Sequence, residues 1–236
     1  MTELSEILKA MDAGKILDVA TGSGGFIHFL LDKLGGYEEI VGIDSSERGA
    51  AAFAESFKDK PNIRFIKTDA TCMDFPDASF DTVCMANSAH HFPDPVTVLA
   101  EMKHVLRPGG TFLLLEMYRD HQAETQMTHV LLHHWWAAVD RRTDGVVHNE
   151  TYQREELVEM VAGLGLSEPQ FFDWSELDDD PKNPEILEEL DLVIDRYLQR
   201  AEGHPDLQAQ GEALRRRVRE VGFHSAASLA VVARRK

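Results

Sequence analysis

Ile16-Leu17-Asp18-Val19-Ala20-Thr21-Gly22-Ser23-Gly24-Gly25-Phe26 decides how this chain is read. A short apolar run carries a carboxylate, Asp18, near its end and opens into a glycine-rich turn, after which a helical pattern begins. Glycines in such a turn let a ligand lie against bare backbone, and the helix beyond offers N–H groups with no intrahelical partner. A strand, turn and helix of this kind suit a nucleotide-like cofactor. The glycine spacing is loose. Counted from Gly22, the third glycine of G-x-G-x-x-G is replaced by Ile27, whereas Ala20, Gly22 and Gly25 form A-x-G-x-x-G. Alanine is tolerated in the first place if the backbone there keeps a negative φ.

Asp18 bears on which cofactor. A dinucleotide turn carries a pyrophosphate, which a carboxylate at the strand's end would repel. S-adenosylmethionine instead presents a cationic sulfonium and a cationic ammonium, and Asp18 beside the turn would attract them. Further carboxylates close the later strands. Ile40 to Ser45 reads as a second buried strand ending on Asp44, 22 residues past Gly22, where a carboxylate accepts from both ribose hydroxyls. NAD-binding folds share that feature. Ile63 to Ala70 is a third strand, with Asp69 set to accept from the exocyclic amine of adenine. Ser79 to Asn87 gives a fourth strand, and Leu106 to Glu116 a turn and a fifth.

LDVATGSG, VGIDSS, KTDAT, FPDASFDTV, AHHFPDP and LRPGGTFLL follow one another over roughly residues 15 to 116. In that order and spacing the chain resembles a class I S-adenosylmethionine-dependent methyltransferase, nearest to the small-molecule branch that includes ubiquinone/menaquinone C-methyltransferases. The resemblance implies a Rossmann-like α/β fold: a doubly wound, mostly parallel seven-stranded sheet with an antiparallel last strand. It implies S-adenosyl-L-methionine as cofactor and in-line transfer of a methyl group to a small-molecule acceptor. Asp18, Ala20, Thr21, Gly22 and Gly24 would hold the methionine part, Asp44 and Ser45 the ribose, Asp69 and Ala70 the adenine, and Asn87 would close the pocket beneath the sulfonium. Two other readings stand beside it. One is a cofactor-binding domain without catalysis, serving regulation or assembly. The other is an NAD-dependent oxidoreductase, against which no Tyr-x-x-x-Lys pair is found.

Composition narrows the partners. With 24 Lys plus Arg against 41 Asp plus Glu the net charge is −17, which repels phosphate backbones and disfavours a nucleic-acid substrate. Two cysteines give neither a disulfide framework nor a paired metal motif. No long apolar segment and no signal-like start is present, so the expectation is a soluble, cytoplasmic protein without membrane insertion. A homodimer is compatible with all of this.

At 236 residues, one domain over 1–236 is expected. Alternating apolar and amphipathic segments predict helices at Gly25–Lys33, Ser46–Phe57, Pro95–Leu106, Gln122–Asp140 and Arg154–Ala162. Strands are predicted at Gln170–Trp174 and Ser228–Ala233. In the resembling family the last two strands are joined by a short turn, but here residues 176–226 intervene as a helical insertion. Ile186, Leu190, Val193 and Tyr197 mark one helix face, and Leu207, Leu214, Val218 and Val221 another. This hairpin either braces the sheet edge or caps the substrate. Few residues precede the first strand, so the roof over the site is expected from 117–153, with the hairpin assisting.

That lid segment holds His121, His129, His133, His134 and His148. His129, His133, Trp136 and Asp140 share a helix face, and two histidines at i, i+4 can chelate a metal. Asp140, however, lies about 10 Å further along the axis than His133. A metal would need His148, His90 or His91 to arrive from elsewhere, and none is expected. His90, Tyr118, His133 and Trp136 are candidates for the substrate pocket. His91, with an unperturbed pKa near neutrality, is the candidate base. The run Arg215-Arg216-Arg217 with Arg219 is expected to pair with Glu185, Glu188 and Glu189.

Overall fold

The computed structural model describes residues 3–236. Five strands run parallel: β1 (Lys15–Val19), β2 (Glu39–Asp44), β3 (Ile63–Lys67), β4 (Phe80–Ala86) and β5 (Leu106–Met117). Strand β6 (Ser167–Trp174) pairs antiparallel with β7 (Ser228–Arg234), which in turn pairs antiparallel with β5. The order in the sheet is β3-β2-β1-β4-β5-β7-β6. Chain order reverses between β1 and β4, and open α/β sheets take ligands beyond the strand ends at such a point.

Both faces of the sheet are covered, which is why β1, β2 and β4 read as continuous apolar runs rather than alternating ones. On one face Ile16, Ile40 and Cys84 pack with Leu4 and Leu8 of α1 (Glu3–Ala10), Ile27 and Leu30 of α2 (Gly25–Lys33) and Phe53 of α3 (Ala50–Ser56). On the other, Leu17, Val19, Ile43 and Met85 meet Val98, Leu99 and Met102 of α4 (Pro95–Val105) and Leu157 and Val161 of α6 (Arg154–Gly163). Helix α4 begins where Asp94 accepts from the Val96 and Thr97 N–H groups and Pro95 fills the first turn. Helix α1 was not anticipated. It buries Leu4 and Leu8, with Ile7 packed beside them.

A third apolar cluster lies apart from the sheet. It joins α5 (Glu124–Thr143) to the insertion, which folds as α7 (Pro184–Arg200) and α8 (Pro205–Val221). Trp135 is fully buried at its centre and donates from Nε1 to the Leu207 carbonyl at 2.9 Å. The inward residues of α7 are Leu190 and Ile194, so the seam runs one position past the expected Val193. The arginine run finds partners other than those expected. Arg215 pairs with Asp191 and Asp195, Arg219 with Asp191, and Arg217 crosses to Glu124 on α5. These bonds tie the insertion to itself and to α5. Among the described residues no helix is long and apolar enough to cross a membrane.

Candidate active site

A cavity of about 830 Å³ opens at the reversal point of the sheet. Its cofactor-side wall contains Ala20, Gly22, Asp44, Ser45, Asp69 and Ala70, brought together from the ends of β1, β2 and β3. Its other wall comes from Ser88, His91 and Phe92 after β4, Asp140 on α5, Val146 to His148 in the following loop, and Tyr197 and Arg200 on α7. Both the 117–153 segment and the insertion therefore face the cavity.

The turn after β1 is built from left-handed backbone: Ala20 has φ 57°, Gly22 54° and Gly24 88°. A Cβ on Gly22 would meet no atom within 4 Å, so the bare backbone there fronts open space. Ala20 departs from the negative φ expected of it. A left-handed alanine costs about 1–2 kcal/mol, and the surrounding turn holds it there. The Thr21 N–H bonds to the Ile43 carbonyl at 2.8 Å, and Gly24 N–H returns to the Thr21 carbonyl at 2.8 Å. Asp44 accepts from Gly22 N–H at 3.1 Å and from Ser46 N–H at 2.8 Å, one on each oxygen. Each oxygen keeps a second lone pair for a ligand hydroxyl. Asp69 is exposed and accepts both the Thr71 N–H and hydroxyl at 2.8 Å, and these bonds hold its carboxyl below the usual range.

Asp18 is not in the cavity wall. It is fully buried and accepts the Thr21 hydroxyl at 2.6 Å and the Cys84 thiol at 3.6 Å. Burial pushes its pKa up to about 7, against the lowering effect of those two bonds, with Asp44 adding to the rise. The electrostatic role read for Asp18 from the sequence therefore gives way to a positional one: through Thr21 it shapes the turn. Thr21 and Gly24 likewise support the turn from behind. Asn87 adopts φ 46°, and its side-chain oxygen accepts from Met117 N–H at 3.2 Å, so its amide braces β5 rather than the cavity.

His91 does line the cavity, but it is a poor proton acceptor. Burial first, then His90 and His148 beside it, push its pKa down to about 3. His90 and His133 lie behind the wall. Tyr118 is buried away from it, its phenol pushed up to about 12 by burial and by Asp173. Trp136 stands behind Tyr197, the ring centroids 5.8 Å apart. Asp140, Tyr197 and Arg200 were not singled out for the cavity. Arg200 bonds to Asp140 and lies 4.6 Å over the Tyr197 ring. Glu116 was also missed, although a carboxylate within TFLLLEM was a readable signal. It is fully buried and accepts Ser88 N–H and Ala89 N–H at 2.9 Å each, and His90 Nδ1 at 2.7 Å.

Residues 16–110, which hold the whole cofactor-side wall, match the family model described as a methyltransferase domain. That stretch is similar to a methyltransferase domain. Demethylmenaquinone methyltransferase of Staphylococcus carnosus (strain TM300) is 34% identical over 113 residues, 47% of this chain and 47% of that protein. The chain thus spans about half the length of that curated relative. The cyclase SpnF superposes over 99% of this chain and 78% of its own, with a TM-score of 0.66 and 20% identity. Phosphoethanolamine N-methyltransferase 2 of Haemonchus contortus, solved with S-adenosyl-L-methionine, superposes over 98% of this chain and 50% of its own, at TM-score 0.61 and 18% identity. These structural likenesses carry the fold alone, and the same fold hosts other chemistries. The methyltransferase domain match ends at 110, before Asp140, His148, Tyr197 and Arg200. The acceptor-side wall lies only partly outside it: Ser88, His91 and Phe92 fall within the match, and the rest lies beyond it.

Proposed function

We propose that this chain is an S-adenosylmethionine-dependent methyltransferase acting on a small-molecule acceptor. The observation that carries the reading is the open backbone of Gly22, braced by Asp44, fronting a cavity that Asp69 and Ala70 also line. The residues fit the cofactor: bare backbone for the methionine part, spare Asp44 lone pairs for the ribose, and Asp69 and Ala70 for the adenine. When bound, S-adenosylmethionine supplies a methyl group already activated by its sulfonium. What remains for the protein is to align a nucleophile and exclude water.

The cavity volume favours catalysis over a purely regulatory cofactor site. Small-molecule pockets run to about 300–1,000 Å³, and this one is at the upper end, with room beside a nucleoside cofactor. Much of the acceptor-side wall, Asp140, Tyr197 and Arg200 among it, lies beyond the matched stretch, so the quinone substrate in the relative's name is not carried over. The net charge of −17 supports a reading without nucleic-acid partners. Cytoplasmic residence and a homodimeric state complete the proposal, the latter checked by light scattering.

Calorimetric titration with S-adenosylmethionine, S-adenosylhomocysteine and NAD tests the core of this reading. Micromolar binding of the first two and none of NAD is the expected result. NAD binding alone would overturn it.

A further inference from the structure

Four imidazoles, His90, His91, His133 and His148, crowd at the acceptor-side wall, and three of them converge. His90 follows β4 in a short turn of 3-10 helix, His133 lies on α5, and His148 lies in the loop after α5. One ring nitrogen from each falls within 4.8 Å of the other two, and all three residues are buried. The loop is pinned in place by Asn149, whose N–H donates to the His90 carbonyl at 2.8 Å and whose side chain donates to the Phe92 carbonyl at 3.2 Å.

The hydrogen-bond accounting goes against a self-sufficient imidazole cluster. The Nδ1 of His90 faces Glu116 at 2.7 Å, and the Nδ1 of His148 faces Asp140 at 2.7 Å. A carboxylate without a proton can only accept, so both histidines carry a proton on Nδ1 and turn Nε2 inward. His148 Nε2 lies 3.3 Å from His133 Nε2, which can share one proton between them. His90 Nε2 and His133 Nδ1 are then both buried with no partner. Each such orphan has lost its water without gaining a partner, which is unfavourable.

We infer that His90, His133 and His148 form a binding site for a divalent transition-metal ion of the zinc class, beside the cavity. Three neutral imidazoles are the donor set of an open zinc site, and tetrahedral ligands at about 2.1 Å stand ~3.4 Å apart. The His133–His148 separation already matches. Glu116 and Asp140 occupy the position of the carboxylates that orient metal-bound histidines in such sites. An ion would engage the inward Nε2 of His90 and His148 and one nitrogen of His133, leaving one orphan in place of two. The expectation of no metal, drawn from the sequence, rested on Asp140 being too far along α5 to join His133. Asp140 instead holds His148, which brings a ligand in from the loop. His148 also lines the cavity, so the fourth position would favour an acceptor carrying a hydroxyl or carbonyl oxygen. That last step rests on the methyltransferase reading; the ion site does not.

The test uses the full chain, stripped with a chelator and titrated with Zn²⁺ by calorimetry and with Co²⁺ by visible absorption. The expected result is one ion per chain and the ligand-field bands of a low-coordinate, nitrogen-bound Co²⁺. His133→Ala should abolish stoichiometric binding. Asp140→Asn, which leaves the three ligands in place, should weaken it on the order of 10–100-fold. His121→Ala, an exposed residue outside the cluster, should change nothing. S-adenosylhomocysteine binding, measured on each protein, reports folding and the cofactor site separately. A wild-type chain that binds S-adenosylhomocysteine but takes up no ion would overturn the metal site and leave the methyltransferase reading standing. So would ion binding indifferent to His133→Ala. Should that variant fail to fold, the Co²⁺ spectrum of the wild type and Asp140→Asn decide the matter.

Discussion

The Asp44 carboxylate bonds to the Gly22 N–H at 3.1 Å, joining the end of β2 to the turn after β1. With its other oxygen on Ser46 N–H at 2.8 Å, this one side chain both sets the turn and faces the cavity. Asp44→Ala removes the brace and the ribose acceptor together. Charge-assisted bonds contribute about 1.5–3 kcal/mol each, so two lost to the ribose weaken S-adenosylhomocysteine on the order of 100-fold or more. Asp44→Asn should also lose affinity, because its NH₂ must confront one of two backbone donors. Calorimetry on both variants checks this, and undiminished affinity in Asp44→Ala would sink the ribose assignment.

Ala20 holds a left-handed conformation at φ 57° that glycine adopts without strain. Ala20→Gly should stabilise the fold by about 0.5–1 kcal/mol: the relieved strain of about 1–2 kcal/mol, less the extra freedom glycine gains in the unfolded chain. Urea unfolding should show a raised midpoint with an unchanged slope. A lowered midpoint would mean that the Ala20 methyl makes packing contacts worth more than the strain.

Much of this was legible in the sequence, for identifiable reasons. The α2 boundaries Gly25–Lys33 were read as they stand, because glycine and lysine punctuate an amphipathic run. The parallel core announced itself through carboxylates at apolar strand ends. Position was readable, but orientation was not. Asp18 and Asp44 look equivalent along the chain, yet one side chain turns inward to Thr21 and the other toward the cavity. The histidines were visible as a local cluster on α5. The neighbours of His133 are His90, from the end of β4, and His148, from the loop beyond the helix, and no local period encodes that meeting. Arg200 gave no signal, since its place depends on how the insertion packs.

Burial leaves Asp18 with a pKa near 7, well above its unfolded value of 3.8. Between those values the folded chain holds a proton that the unfolded chain has lost. Stability therefore falls as pH rises from about 4 to about 7, by up to ~4 kcal/mol for this group alone. Asp18→Asn keeps an acceptor for the Thr21 hydroxyl and has no proton to lose. Its unfolding free energy, measured across that range, should lack this decline and exceed the wild type's above pH 7. Parallel pH profiles for the two proteins would refute the shift.

Gly211 on α8 lies against the buried Trp135 ring, and a Cβ there would come within 2.3 Å of Trp135 Cζ2 and 2.7 Å of Leu198. The tryptophan has no space to retreat, being fully buried and tied to Leu207. Overpacking of about 1–3 kcal/mol should outweigh the roughly 1 kcal/mol that alanine gains within a helix. Gly211→Ala is expected to unfold at lower denaturant and to shift the tryptophan fluorescence. An unshifted midpoint would mean that α8 can slide on α5 without cost.

Arg200 decides between the two roles open to the insertion, brace or cavity wall. Its guanidinium bonds to Asp140 and Asp144 and covers the Tyr197 ring, so α7 presents a preordered cation to the cavity opposite Asp44. A brace would make Arg200→Ala a stability variant with kinetics unchanged. A wall that positions the acceptor predicts a different split: kcat/KM for the acceptor falls on the order of 10-fold, while S-adenosylhomocysteine affinity stays at the wild-type value. Loss of cofactor affinity would instead assign α7 to the cofactor side. The first two outcomes separate because one is read in the unfolding midpoint and the other in kcat/KM.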